Sequence, residues 1–265
     1  MNESTGRALK HIFSFRWQPT KDLFIVGLSW LLVVGTFYTA TVIVGSEIWG
    51  GMAYFFLYAV VGAMLFGIGI PLYWMVVVRK RSLADLGLTT RRWAISVILQ
   101  LILALLLYFT TLAKVQLPPV SQLLPLVALA LAIGFFEAVF WRGWVQLRIE
   151  ESFGIIPGIL LASLLYALYH VGYAMPTSEM VFLFFIGILF AVIFRLTKNI
   201  LILWPLFQPM GQLVTLIRDQ LTLPTLAALG FIDVLVVMFV LIWLASRYHK
   251  KHLGQPTDTE MVGSQ

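Results

Sequence analysis

The chain has 265 residues, 60% of them hydrophobic and only 11% charged, with a formal net charge of +6 and no cysteine. About a quarter of the residues in an ordinary soluble domain are charged, so this composition excludes a soluble domain of average make-up. Without cysteine, disulfides, iron-sulfur ligation and thiol nucleophiles are excluded as well.

Met1 to Lys21 is polar and basic, with scattered aromatics and no small-residue cleavage site before the first apolar run. It reads as a cytoplasmic lead-in, not a cleaved signal peptide. Apolar segments follow at roughly 23–45, 52–78, 93–113, 120–146, 156–173, 179–196, 199–217 and 226–246. Each is close to the ~20 residues that a helix needs to cross a bilayer. Strands would leave backbone groups unpaired in lipid, and no ten-residue alternation marks a barrel. The expected fold is therefore all-α: a polytopic transmembrane helical bundle of about eight helices. Residues 1–22 form the lead-in, 23–246 a single membrane domain and 247–265 a polar, disordered tail.

Lysine and arginine fix the orientation. Arg7, Lys10, Arg16 and Lys21 precede the first segment, and Arg79, Lys80, Arg81, Arg91 and Arg92 follow the second. Arg142 and Arg148 end the fourth, Arg195 and Lys198 follow the sixth, and Arg247, Lys250 and Lys251 follow the eighth. All fall on one side, leaving Lys114 and Arg218 opposite, so both termini are expected in the cytoplasm. Topology thus accounts for the net charge without a nucleic-acid partner, and anionic lipids at the cytoplasmic face are the expected surface partners. The expected location is a prokaryotic cell membrane. In the loop after the second segment, Ser82 and Asp85 resemble a capping pair, and Gly87 can end one short helical turn.

Ionisable side chains inside membrane helices are costly, on the order of 2.5–3.5 kcal/mol for the charged residues on insertion scales, and so are functional candidates. Glu137 and Asp233 are the acidic residues within apolar runs, and His170 is the one intramembrane histidine. Asp233 lies near the outer end of its segment, where water or head groups are expected to meet it. Counting about 1.5 Å per residue from the cytoplasmic boundary puts Glu137 roughly 16 Å deep, His170 roughly 20 Å, and Gln208 and Gln212 roughly 14 and 20 Å. These four side chains come from three segments at similar depth. A carboxylate removed from water is an effective general base, an imidazole can assist an oxyanion or a leaving amine, and amides can position a carbonyl or a water. One histidine and one glutamate are too few for catalytic zinc, so no metal or cofactor is expected.

The stretch Phe136-Glu137-Ala138-Val139-Phe140-Trp141-Arg142-Gly143 resembles the first motif, Glu-Glu-x-x-x-Arg, of the CAAX-protease and bacteriocin-processing (CPBP, or Abi) family of intramembrane peptidases. Tyr166 and His170 are similar to its second motif, Phe-x-x-x-His. Gln208 and Gln212 stand where its third, His-x-x-x-Asn, is expected. The resemblance covers most of the chain in helix order, with its motif-bearing core at 120–217. It implies a glutamate-dependent endopeptidase acting on a polypeptide in or at the membrane, with Glu137 as general base and His170 as its partner. Gln208 and Gln212 would shape the site, and Arg142 and Tyr166 would support it.

The chain departs from the family at Ala138, which replaces the second glutamate, and at Gln208 and Gln212, which cannot titrate. Arg142, between Trp141 and Trp144, reads equally as a supporting group or as an interface anchor. Two other functions stay open: an inactive interaction or scaffold protein of the same fold, and a proton-coupled transporter using Glu137 as carrier.

Overall fold

Within lipid, each backbone N–H must find its acceptor in its own segment, and the apolar runs satisfy this by becoming helices. The computed structural model describes residues 14–45 and 51–253. Helices α1 (Lys21–Val44), α2 (Met52–Val78), α3 (Trp93–Lys114), α4 (Val120–Phe153), α5 (Ile155–Tyr173) and α6 (Thr177–Thr197) are each long and apolar enough to cross a membrane. So is α8 (Ala227–Leu253), while α7 (Phe207–Arg218), between the last two, is only 12 residues long. The protein is an integral, multi-pass helical bundle.

The run expected to form a seventh spanning helix over 199–217 is broken. It opens with a 3-10 turn at Ile200–Ile202 and resumes as helix only at Phe207. Pro205 explains the gap, because it offers no N–H to continue the helical ladder. Pro209 is tolerated because it falls in the first turn of α7, where amide hydrogens lack helical acceptors anyway. The passage still spans the bundle. At its start the Asn199 amide donates to the Thr89 and Arg91 carbonyls, before α3. At its end the Thr225 hydroxyl donates to the Ser121 carbonyl, after α3. α3 crosses between those two points, so the described residues make eight passages and α8 ends on the side where α1 began.

Helix α4 is the axis of the fold. In its most apolar stretch 72% of the residues are buried, against 17% in α3. It continues past the expected end at 146 to Phe153. α8 likewise continues beyond 246 to Leu253, so residues 247–253, expected to be disordered, are helical. The rest of the expected tail, and Arg7 and Lys10 of the lead-in, lie outside the described residues.

Polar side chains tie the helices together. The Trp144 indole donates to Ser29 Oγ at 3.1 Å, and the Trp30 indole to the Leu165 carbonyl at 3.0 Å. Asp22, buried in the first turn of α1, accepts from the Trp74 indole at 2.8 Å and pairs with Arg79 at 3.0 Å. The N-terminal lead-in folds back so that the Arg16 and Gln18 amides donate to the Phe153 and Ser152 carbonyls. The turn expected near Ser82 forms as Leu83–Leu86, with Gly87 left-handed at φ 71. Ser82 and Asp85 bond each other's side chains at 3.2 Å instead of capping the backbone.

Candidate active site

Glu137 ends the regular part of α4, and the helix widens into π-type turns over Ala138–Gln146. Such turns rotate the following side chains relative to a regular helix and often occur at functional sites. One turn before Glu137, Gly134 lets α7 approach, since a Cβ there would lie 2.7 Å from Pro209 Cγ. That close approach delivers the amides of α7 to the carboxylate.

Both oxygens of Glu137 are held. Gln208 Nε2 donates to Oε2 at 2.7 Å and Gln212 Nε2 donates to the same oxygen at 2.8 Å. The Tyr169 hydroxyl donates to Oε1. Glu137 is 3% exposed and Gln208 2%, so these bonds form in a dry, low-dielectric setting where hydrogen bonds to a charged acceptor are strong. An ionised carboxyl offers about four lone-pair positions. Three are taken, and the fourth lies on Oε1.

His170 is also buried, in a 3-10 turn that finishes α5. Its Nδ1 lies 3.0 Å from the Tyr166 carbonyl. A carbonyl can only accept, so Nδ1 carries the hydrogen and, in the neutral ring, Nε2 is an acceptor. Among the described residues His170 makes no direct bond to Glu137; the two meet through Tyr169, whose ring centroid is 4.1 Å from the imidazole.

Four sequence candidates therefore converge in part: Glu137, Gln208 and Gln212 by direct bonds, His170 at one remove. Sequence reading passed over Tyr169. A signal did exist, because Tyr166, Tyr169, His170 and Tyr173 fall at i, i+3, i+4 and i+7 and so share one helical face. Tyr166 has a supporting geometry: its carbonyl holds His170 and its ring lies 5.3 Å from the Arg142 guanidinium. Arg142 is not an interface anchor. It is 2% exposed, and Trp141 and Trp144 beside it are fully buried, because α4 extends well beyond them. Its one side-chain hydrogen bond, to Gln146 Oε1, is long at 3.5 Å, and its Nη2 has no partner. The Trp141 indole N–H and the free oxygens of Gln208 and Gln212 are likewise buried without partners. Asp233 is exposed on α8, away from this centre. Among the described residues no cluster of three or more His, Cys, Asp or Glu could hold a metal.

Fold and site together define a multi-pass membrane protein built around a buried, hydrogen-bonded carboxylate. Residues 119–206 match the family model described as Type II CAAX prenyl endopeptidase Rce1-like, which bears out the family resemblance read from the motifs. The matched stretch, about a third of the chain, is thus similar to a family of CAAX-protease type membrane endopeptidases. The match takes in Glu137, Arg142, Tyr166, Tyr169 and His170 and stops just before Gln208 and Gln212. No curated protein matches the chain, and no solved structure does.

Proposed function

We propose that this protein is an intramembrane endopeptidase that hydrolyses a peptide bond of a membrane-associated or lipid-anchored polypeptide, with Glu137 as the general base. The observation that carries the reading is the fixing of Glu137 by three donors from two other helices, which leaves one lone pair on Oε1. A water donating to that lone pair gives up its proton to Oε1 while its oxygen attacks the scissile carbonyl carbon. The C–N bond breaks as Glu137 returns the proton to the leaving amine. His170 Nε2, as an acceptor, holds the water's second hydrogen. The oxyanion requires donors, and the buried unpartnered ones within five residues of Glu137 on α4 are Trp141 Nε1 and Arg142 Nη2.

A scaffold function has its own support in the buried Ala138 and in amides that cannot carry a proton at Gln208 and Gln212. The test that separates the two is cleavage of a panel of membrane-anchored reporter peptides by the purified protein. Glu137→Gln keeps the shape of the side chain and removes the base, so cleavage falls to background. Equal cleavage by wild type and variant overturns the hydrolytic reading.

A further inference from the structure

At the basic end of the bundle, away from Glu137, lies a cavity of about 650 Å³ between the α2–α3 loop, α5 and the end of α6. Arg91, Arg92, Arg195 and Lys198 line it, no carboxylate does among the described residues, and Ile159 and Val192 form its apolar wall. The shape is built in. Asn199, fully buried, donates to the Thr89 and Arg91 carbonyls at 2.8 and 3.0 Å and pins the loop to the end of α6. Arg92 Nη1 donates to the Leu196 carbonyl at 3.2 Å.

The charges of this cavity are compensated only in part, by Glu150 and Glu151 lying within electrostatic reach of Lys198. Arg195 lies 3.2 Å from Glu150 Oε2, although its Nη1 is not aligned for a hydrogen bond. Among the described residues Arg91, Arg92 and Lys198 form no ion pair. Burial and the neighbouring Arg195 guanidinium hold the Lys198 ammonium below the ordinary lysine value, a crowding that an anion relieves. Two of the five non-glycine residues with positive φ among the described residues line this cavity. Arg92 and Lys198 both have left-handed dihedrals, at φ 56 and 53, where glycine is the unstrained choice. The chain keeps a long cationic side chain at each of these two positions, and both line the same cavity.

We propose that this cavity binds the phosphate headgroup of an anionic phospholipid, with an acyl chain lying along Ile159 and Val192. Phosphate is the chemistry that several converging guanidinium and ammonium donors recognise. The apolar wall selects a lipid over free phosphate, since Val192 is 47% exposed on the spanning helix α6 and offers an acyl chain an apolar surface.

The test is native mass spectrometry of protein released from nanodiscs of mixed phosphatidylcholine and phosphatidylglycerol. Wild type retains phosphatidylglycerol in preference to phosphatidylcholine. Arg91→Gln combined with Lys198→Gly retains at least tenfold less, about 1.4 kcal/mol. Lys198→Gly also relaxes the left-handed backbone, so this variant is at least as stable as wild type and any loss of lipid is not a loss of fold. Lys250→Gln with Lys251→Gln, on the same side but outside the cavity, keeps wild-type retention. Equal losses in both double variants, or no loss in either, overturn the proposal. Displacement of phosphatidylglycerol by millimolar inorganic phosphate overturns the lipid assignment in favour of a free phosphate site.

Discussion

The hydroxyl of Tyr169 donates to Glu137 Oε1 while its ring packs 4.1 Å from that of His170. One tyrosine therefore touches both groups to which hydrolysis is assigned, and it holds the oxygen that still has a free lone pair. The other oxygen is saturated by Gln208 and Gln212. The carboxylate is thereby held in one orientation by three donors from two helices.

Tyr169→Phe removes this donor and leaves the ring packing in place. A hydrogen bond to a charged group is worth about 1.5–3 kcal/mol. The variant is expected to lose on the order of tenfold to hundredfold in kcat while keeping KM, since the change misaims the carboxylate in the reacting step. Tyr108→Phe, which changes an exposed tyrosine on α3, is the control and stays near wild type. Equal effects of the two substitutions would show that the Tyr169 hydroxyl does not orient the base.

Gln208 supplies a donor to a buried charge, and the role needs a donor rather than an amide as such. Gln208→Leu leaves Glu137 Oε2 with one partner, and is expected to lower the stability by about 1.5–3 kcal/mol and slow cleavage. Gln208→His restores the residue of the family motif, can donate one ring N–H, and should lie closer to wild type in both respects. Thermal unfolding in a single detergent and cleavage rates for the two variants decide this. Identical behaviour of leucine and histidine would rule out the donor role.

How much of this was legible in the sequence depends on how local each feature is. Glu137 stood out because one acid in an apolar run has no cheap explanation, and its motif residues lie a few positions away. The seventh passage reads as a continuous helix because hydropathy averages over Pro205, whose missing N–H interrupts the helical ladder. Arg142 was ambiguous because Trp141 and Trp144 look like an interfacial belt. Only the seven helical residues from Leu147 to Phe153 move that level of α4 inside the protein. Tyr169 was passed over because its partner sits on another helix, and a face of aromatics reads first as packing.

Gly143 lies within the first motif, yet its reason is steric. A Cβ there would collide with the Leu86 carbonyl of the 3-10 turn that covers α4. Gly143→Ala is expected to cost about 1–3 kcal/mol as the turn is pushed off, with a matching fall in thermal stability. Gly35→Ala, on α1 with nothing within 4 Å of its Cβ, should be neutral or slightly stabilising. A Gly143→Ala protein as stable as wild type would mean that the turn over α4 is loosely held.

Asn199 joins two loops with one side chain, which makes it the most sensitive residue at the basic end. Its Nδ2 donates to the Thr89 and Arg91 carbonyls, and its Oδ1 accepts from the Leu201 amide at 3.0 Å. Asn199→Ala removes all three of these part-buried bonds, each worth about 0.5–1.5 kcal/mol net. Asn199→Asp keeps the acceptor for Leu201 but turns a second oxygen towards two carbonyls, so it should be at least as damaging as alanine despite its near-identical shape. The loop released by either change contains Arg91 and Arg92, and limited trypsin digestion in detergent reads the release directly. Rapid cleavage after these arginines is expected in both variants and slow cleavage in wild type. If Asn199→Asp digests as slowly as wild type, the amide donors are not what holds the loop. The cavity between α5 and α6 would then need another explanation for its fixed shape.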